Sequence, residues 1–475
     1  MSSICSSNLT SGFIDLATYD EQEKYLYGGP DAIAYFVRET RKATWFTIVP
    51  VVLSRASGQP EFGQEWSVTI SRAGDYLINT WLRVTIPSVT LALVADVPSN
   101  NNKTLRWTRN LMHNLVRESA ITFNDLVAAR FDNYHLDFWS AFTVPAGKRT
   151  GYNNMIGNIN ELIQSHGPGQ PIPSVTLNLP LPFFYARDSG VALPTAALPY
   201  NDVRITFSFR NWSELLIVDD TTVQAGPIYT PQGTCAQTYQ LSTGEPHLNC
   251  VQVWSTYAIV SSDERKRMAC APRDVLIEQV QTAPIQTFVP NQNSQPSYDI
   301  RFSHSIKALF FSARNKTVSC EWSNYTTASP YTTTAGATDF YPPCALDPIL
   351  NTSLIYENTA RLSCMGSDYF SLVNPWYHAP VIPLETGYHM YSYSLDFFCL
   401  DPMGSTNYGK LANVSIAPVA SQAAIDASTG NTATTNPQIP FASGCGAPQK
   451  FDFIVTAVNY NIVRISGGAL GFPVL

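Results

Sequence analysis

Charge is scarce in this chain. Only 14% of its 475 residues are Asp, Glu, Lys or Arg, against the roughly 25% usual for soluble domains. The formal net charge is −7, so the clustered basic surface that neutralises phosphate is missing, which argues against wrapping a genome or binding nucleic acid directly. The densest charged run, Asp263-Glu264-Arg265-Lys266-Arg267, mixes both signs and reads as a solvated turn or helix start. No run of about 18 apolar residues is present to cross a membrane as a helix. The opening Met1-Ser2-Ser3-Ile4-Cys5-Ser6-Ser7 has neither the basic flank and apolar centre of a signal peptide nor a glycine at position 2 for myristoylation. The nine cysteines are odd in number, scattered, and without a Cys-x-x-Cys. That pattern fits neither a disulfide framework nor a zinc site, and predicts free, mostly buried thiols made in a reducing cytosol.

Catalytic constellations are missing too. The seven histidines, at positions 113, 135, 166, 247, 304, 378 and 389, show no His-x-His, His-x-x-x-His or His-Glu-x-x-His spacing, so a metal-binding cupin is not supported. His378 and His389 lie among Trp376, Tyr377, Tyr388 and Tyr391 and read as an aromatic packing patch. Gly147-Lys148-Arg149-Thr150-Gly151 resembles the end of a phosphate loop but lacks the upstream glycine, since Phe142 precedes Thr143-Val144-Pro145-Ala146. There is no Gly-x-Ser-x-Gly elbow. The carboxylate pairs Asp219-Asp220 and Asp263-Glu264 are sequence neighbours that point apart. No enzyme is visible, and no catalytic, cofactor-binding or metal-binding residue is assigned. Seven Asn-x-Ser/Thr sequons, at Asn8, Asn102, Asn211, Asn315, Asn324, Asn351 and Asn413, are expected by chance in a chain rich in these residues.

What the chain does have is punctuation and strand-forming bulk: 33 Pro, 26 Gly, 24 Tyr and 24 Phe. Alternating stretches follow one another. Trp66, Val68 and Ile70 alternate, Ala73-Gly74-Asp75 turns, and Ile78, Thr80, Leu82, Val84 and Ile86 alternate again. Val203, Ile205, Phe207 and Phe209 face one way, with polar residues between them. Hairpin-linked strands with one apolar face each build antiparallel sandwiches. Residues 306–311 form a near-continuous apolar run, as expected of a strand buried on both sides. Two short helices are expected, one capped at Thr18-Tyr19-Asp20-Glu21 and ended by Gly28-Gly29-Pro30, the other from Asp132 to Ala141 with Asp132 as N-cap. The domains expected are an N-terminal arm over 1–44, a first sandwich over 45–216, a linker over 217–249 and a second sandwich over 250–475. Tyr200-Asn201-Asp202-Val203-Arg204-Ile205 echoes Tyr460-Asn461-Ile462-Val463-Arg464-Ile465 at five of six positions, which supports an internal duplication.

The string Leu179-Pro180-Leu181-Pro182-Phe183-Phe184-Tyr185-Ala186-Arg187-Asp188-Ser189-Gly190, continuing through Leu198-Pro199-Tyr200-Asn201-Asp202-Val203-Arg204-Ile205, resembles the major capsid proteins of iridoviruses among the nucleocytoplasmic large DNA viruses. The same resemblance runs through Phe62-Gly63-Gln64-Glu65-Trp66, Ser71-Arg72-Ala73-Gly74-Asp75-Tyr76, Leu111-Met112-His113-Asn114, Gly147-Lys148-Arg149-Thr150-Gly151-Tyr152, Arg301-Phe302-Ser303-His304, Pro402-Met403-Gly404-Ser405-Thr406-Asn407-Tyr408 and Gly471-Phe472-Pro473-Val474-Leu475. Residues 318–343 and 420–448 match nothing in it and read as variable surface loops. The resemblance implies an all-β chain of two consecutive eight-stranded jelly rolls with long loops and a few short helices. It also implies a late structural protein of the outer icosahedral capsid of the virion, made and assembled in host cytoplasm. The partners implied are a homotrimer forming a pseudo-hexagonal capsomer, neighbouring capsomers, minor capsid proteins, and internal membrane-associated proteins beneath the shell, toward which the N-terminal arm points. The rival reading is a loop-decorated, lectin-like or receptor-binding β-sandwich.

Overall fold

The computed structural model describes residues 9–220, 234–270, 272–291, 295–327, 346–429 and 449–472. The chain divides into a small unit, Met1–Trp45, and a large body, Phe46–Leu475.

The small unit contains α1 (Leu9–Ala17) and α2 (Glu21–Leu26). Its capping box is displaced from the expected one. Asp20, not Thr18, caps α2, accepting from the Glu21 amide at 2.8 Å while the Glu23 carboxylate accepts from the Asp20 amide at 3.2 Å. Thr18 instead donates its hydroxyl to the carbonyl of Asp15, at the end of a first helix that the sequence pattern did not announce. None of the described residues of this unit is buried.

The body is built twice over on one plan. Eight strands make the first sandwich: β1 (Phe46–Val52), β2 (Glu65–Thr69), β3 (Tyr76–Ile86), β4 (Val116–Phe123), β5 (Leu126–Asp132), β6 (Val175–Pro180), β7 (Val203–Phe209) and β8 (Asn249–Val260). Their sheets run β1-β8-β3-β6 and β2-β7-β4-β5, with a short edge strand, Ser54–Gly58, beside β2. Eight more make the second: β9 (Arg273–Thr282), β10 (Tyr298–Asp299), β11 (Ser305–Asn315), β12 (Ile349–Tyr356), β13 (Thr359–Gly366), β14 (His389–Ser392), β15 (Val414–Ala420) and β16 (Phe451–Ser466). Their sheets run β9-β16-β11-β14 and β10-β15-β12-β13. Each roll therefore pairs its strands in the order first-eighth-third-sixth and second-seventh-fourth-fifth, all antiparallel, which is the jelly-roll arrangement.

The patterning explains the elements. In β7 the burial alternates at every residue, and Phe207 and Phe209 stack on Trp66 of β2 at 5.6 and 6.2 Å. In β3 the alternation breaks once. Tyr257 pairs with Leu77 and Thr256 with Asn79, leaving Ile78 as the extra residue of a bulge. Leu77 is consequently buried where Ile78 was expected. The turn before β3 needs Gly74, because a Cβ there would lie 2.5 Å from that of Tyr257.

Several expectations are corrected. The strand Asn249–Val260, expected to open the second sandwich, pairs with β1 and β3 and closes the first. Alternation announces a strand, but it does not name the partner. The stretch expected to be a linker holds a strand, Leu216–Asp220, paired with Lys103–Trp107. The echo at 200–205 and 460–465 joins β7, a seventh strand, to β16, an eighth, so it does not relate equivalent positions; the duplication is carried by the topology. Residues 318–327 are no surface loop, since Val318, Cys320, Glu321, Ser323 and Tyr325 are all buried. Residues Gln422–Thr429 form a helix that buries Ala424 and Asp426. The rest of both expected loops, 328–345 and 430–448, lies outside the described residues. Cys235 and Cys320 are joined, 85 residues apart in sequence, so the thiols are not all free, and among the described residues the free cysteines Cys250 and Cys364 are exposed and not buried as expected.

Candidate functional site

Among the described residues no group of three or more His, Cys, Asp or Glu side chains is placed to hold a metal. None of the described helices is long and apolar enough to cross a membrane. The histidine patch is not one site: His389 stacks on Phe311 at 5.1 Å and bonds Asp347 at 2.8 Å, and His378 bonds the carbonyl of Leu395 at 2.9 Å. Gly147 to Gly151 lie on α5 (Ala146–Ile156, with α4 the helix Asn133–Thr143 and α3 the turn Leu111–Leu115 before it), and no phosphate loop forms there. Of the sequons, Asn315 and Asn324 are buried, which removes them as glycan acceptors in the folded chain.

The polar chemistry collects instead in the seam between the two rolls. Helix α4 forms as read from the sequence: the Asp132 carboxylate accepts from the His135 amide at 2.8 Å. One side of α4 then presents Tyr134, Phe138, Ala141 and Phe142 to the second roll. Phe138 stacks on Phe310 of β11 at 6.0 Å, meets Tyr388 edge-on, and Phe142 lies 5.5 Å from Phe310. The side chains of Ala308, Met390, Ile454 and Val458 complete this cluster.

Around the aromatics sits a ring of buried, paired charge. Arg106 donates from Nε to Asp219 at 2.6 Å and from Nη1 to Glu321 of the second half at 2.8 Å, all three residues being at most 4% exposed. Asp137 on α4 accepts from His113 (2.7 Å) and Asn110 (3.2 Å) on one oxygen, and from Ser323 (2.8 Å) and Tyr325 (2.9 Å) on the other. Glu278 of β9 takes Arg187 at 2.8 Å and also the ammonium of Lys307, the one cation inside the apolar run at 306–311. Arg109 pairs with Glu385. The Arg210 and Arg314 guanidiniums lie 3.7 and 4.1 Å from the ring centre of Trp322. The buried guanidiniums and the Lys307 ammonium each face a carboxylate or an aromatic ring, and the Asp137 carboxylate is satisfied by its four hydrogen-bond donors, as burial demands. The sequence reading named Asp219 as half of a carboxylate pair and Arg187 within the resemblance, but assigned none of these residues to a buried network. Its one usable signal was Lys307, a lone cation in a strand buried on both faces, which requires a partner.

His135 gives the seam a pH dependence. Burial, with the positive Arg187 nearby, holds its pKa down at about 3, against an ordinary 6.5. The unfolded chain therefore binds this proton first as the pH falls. The stabilisation is complete above pH 6.5 and is lost toward pH 3, at about 1.4 kcal/mol per pH unit. Between pH 7 and pH 5 the wild-type chain is expected to lose about 2 kcal/mol more than His135→Gln in urea titrations. Parallel losses in the two chains would show that His135 is not the titrating group.

The fold has known counterparts. It is similar to VP54 of PBCV-1, as fitted into a reconstruction of the virophage Sputnik, with a TM-score of 0.72 and 20% identity over 93% of this chain and 100% of the other. It is also similar to the Faustovirus major capsid protein, with a TM-score of 0.67 and 12% identity over 92% and 93% of the two chains. The fold class is the double jelly roll. Residues 34–259 match the family described as "Major capsid protein N-terminus", and residues 264–471 match "Large eukaryotic DNA virus major capsid protein". The major capsid protein of Costelytra zealandica iridescent virus is 63% identical over 476 residues and all of both chains, that of Invertebrate iridescent virus 6 is 60% identical over 478, and that of Frog virus 3 is 44% identical over 481. The chain belongs to the iridovirus major capsid protein family, and is a structural component of the virion.

Proposed function

We propose that this chain self-associates as a homotrimer, forming a pseudo-hexagonal capsomer that tiles the outer icosahedral shell. The observation that carries the reading is the repeated strand order, first-eighth-third-sixth and second-seventh-fourth-fifth, in two rolls locked by one buried seam. Two like wedges per chain and three chains about an axis give six wedges, a hexagonal outline from a three-fold object. The first roll closes at β8 and the second opens at β9, with the helix Ser262–Cys270 between them. The seam makes each pair of wedges rigid, so the angle between rolls is set within the chain. The scarcity of charge supports association as well: with 14% charged residues, a lone body would expose larger apolar patches than soluble monomers tolerate.

The small N-terminal unit, whose apolar side chains such as Phe13, Leu26 and Phe36 are exposed in the single chain, would serve beneath the shell toward minor capsid and internal membrane-associated proteins, with assembly in host cytoplasm. No enzymatic role and no direct nucleic-acid contact is part of this reading. The purified chain is expected to sediment at about 157 kDa, three times 52.4 kDa, and to remain so well below micromolar concentration, as an obligate interface of about 2,000–5,000 Å² implies. A stable 52.4 kDa monomer would remove the proposal.

A further inference from the structure

The duplication specifies which surfaces meet between copies. In roll one, the connection from the fifth to the sixth strand carries α4, and α4 covers the outer face of the second roll's first-eighth-third-sixth sheet. That face is accordingly sealed: β11 is buried on both sides, with Phe310 and Ile454 at 0% exposure. In roll two, the connection from the fifth to the sixth strand also carries a helix, a π-helical turn at Tyr369–Val373 continuing as α7, Asn374–His378, where α6 is Ser262–Cys270. Its inner side buries Phe370, Asn374 and Pro375. Its outer side bears Leu372, Val373, Trp376 and Tyr377, two pairs four residues apart that form a single stripe. Trp376 and Tyr377 are 71% and 72% exposed. This is the counterpart of the Phe138 and Phe142 stripe of α4, left uncovered by the described residues of the chain.

The counterpart of the sealed face is open as well. On the outer side of β3, Asn79 and Arg83 are exposed and Trp81 is only partly covered, by stacking on Trp254 of β8 at 6.1 Å. Pro180 of β6 pairs with Trp81 and continues the same row. Asn79 and Pro180 also border a mostly apolar cleft of about 740 Å³ walled by Met155, Pro182 and Phe398, ample for an indole ring.

We propose that the Leu372–Tyr377 stripe of one copy docks on the outer face of β3, β8 and β6 in roll one of a second copy. The inference rests on the trimer reading and deepens it. The occupant is a second copy because the chain already displays the same contact between its own rolls: helix of one roll on sheet of the next. Stripe and face lie on different rolls, so the contact is head-to-tail, and repeating one roll-to-roll step six times closes a ring of three chains. Tryptophan and tyrosine are the residue types that most often dominate such contacts.

The test uses the full chain and two variants. Trp376→Glu with Tyr377→Glu alters only exposed side chains. Asn79→Glu with Thr256→Arg alters the face, and because these positions are cross-strand partners the new charges compensate each other. Each variant is expected to sediment as a folded monomer with wild-type circular dichroism. Mixed, they are expected to form a heterodimer of about twice the chain mass and no trimer, since one intact stripe meets one intact face. Trimers in either variant while the wild type is trimeric would overturn this contact and leave the capsomer reading standing. Monomers that fail to pair on mixing would overturn the head-to-tail arrangement. Loss of the trimer on removing residues 1–44, with no loss in the stripe variant, would show the arm to be the occupant and would likewise overturn the proposal. A monomeric wild type would overturn both readings.

Discussion

Arg106→Met is expected to cost the folded chain about 3–5 kcal/mol, the usual penalty for removing one partner of a buried ion network. The guanidinium is the shared counter-charge of Asp219 and Glu321, which come from opposite sides of the seam and are both almost fully buried. With the cation gone, two carboxylates remain in a low-dielectric setting without their shared counter-charge. Methionine keeps the volume of the side-chain stem, so the loss is electrostatic and not a packing void. The companion chain Arg106→Met/Asp219→Leu/Glu321→Met removes all three charges and is expected to recover most of the loss, because a well-packed apolar trio substitutes for a buried triad at little or no cost. Urea midpoints of the three chains provide the measurement. A single variant within 1 kcal/mol of wild type, or a triple variant no better than the single, would contradict the role assigned to Arg106.

The contrast between what patterning revealed and what it hid follows from how each is encoded. Alternation over Val203 to Phe209 is written in consecutive residues, so β7 could be read directly, and its burial alternates as expected. The same was true of the Asp132 cap on α4. The jelly-roll class came from the family resemblance, since strand partners are a long-range property. Strand β8 shows why: its alternation looked the same whether it opened the second roll or closed the first, and only its ladder with β1 and β3 decides. The seam was hidden for the same reason. Arg106 and Glu321 are 215 residues apart, and nothing local marks either as buried except apolar neighbours such as Leu105, Trp107, Cys320 and Trp322. Residues 318–327 read as loop because they match nothing in the family resemblance. In the structure the hydroxyls of Ser323 and Tyr325 donate to Asp137, and the backbone carbonyl of Thr326 accepts from the Asn315 amide.

Phe138→Ala is expected to loosen the two rolls from each other at a cost of about 3–5 kcal/mol, the range for deleting a buried phenyl ring from a packed core. Phe138 is fully buried and touches Phe310, Tyr325 and Tyr388, so its ring is the common contact of both rolls. The cavity cannot close easily, because α4 is tied at its start by Asp132 and in its middle by the four donors to Asp137. Neither sandwich loses core of its own: the Trp66–Phe207 stack belongs to the core cluster of roll one and the Phe311–Phe453 contact to that of roll two, while Phe138 belongs to neither. The expected signature is therefore a lowered urea midpoint together with faster proteolytic cleavage in the connector around Ser262–Cys270, while far-ultraviolet circular dichroism stays at the wild-type level. Phe138→Leu, which refills most of the space, is expected to recover more than half of the loss. An unchanged cleavage rate in Phe138→Ala would mean that the charged pairs alone hold the two rolls at their angle, and that the aromatic cluster is packing without a part in setting that angle.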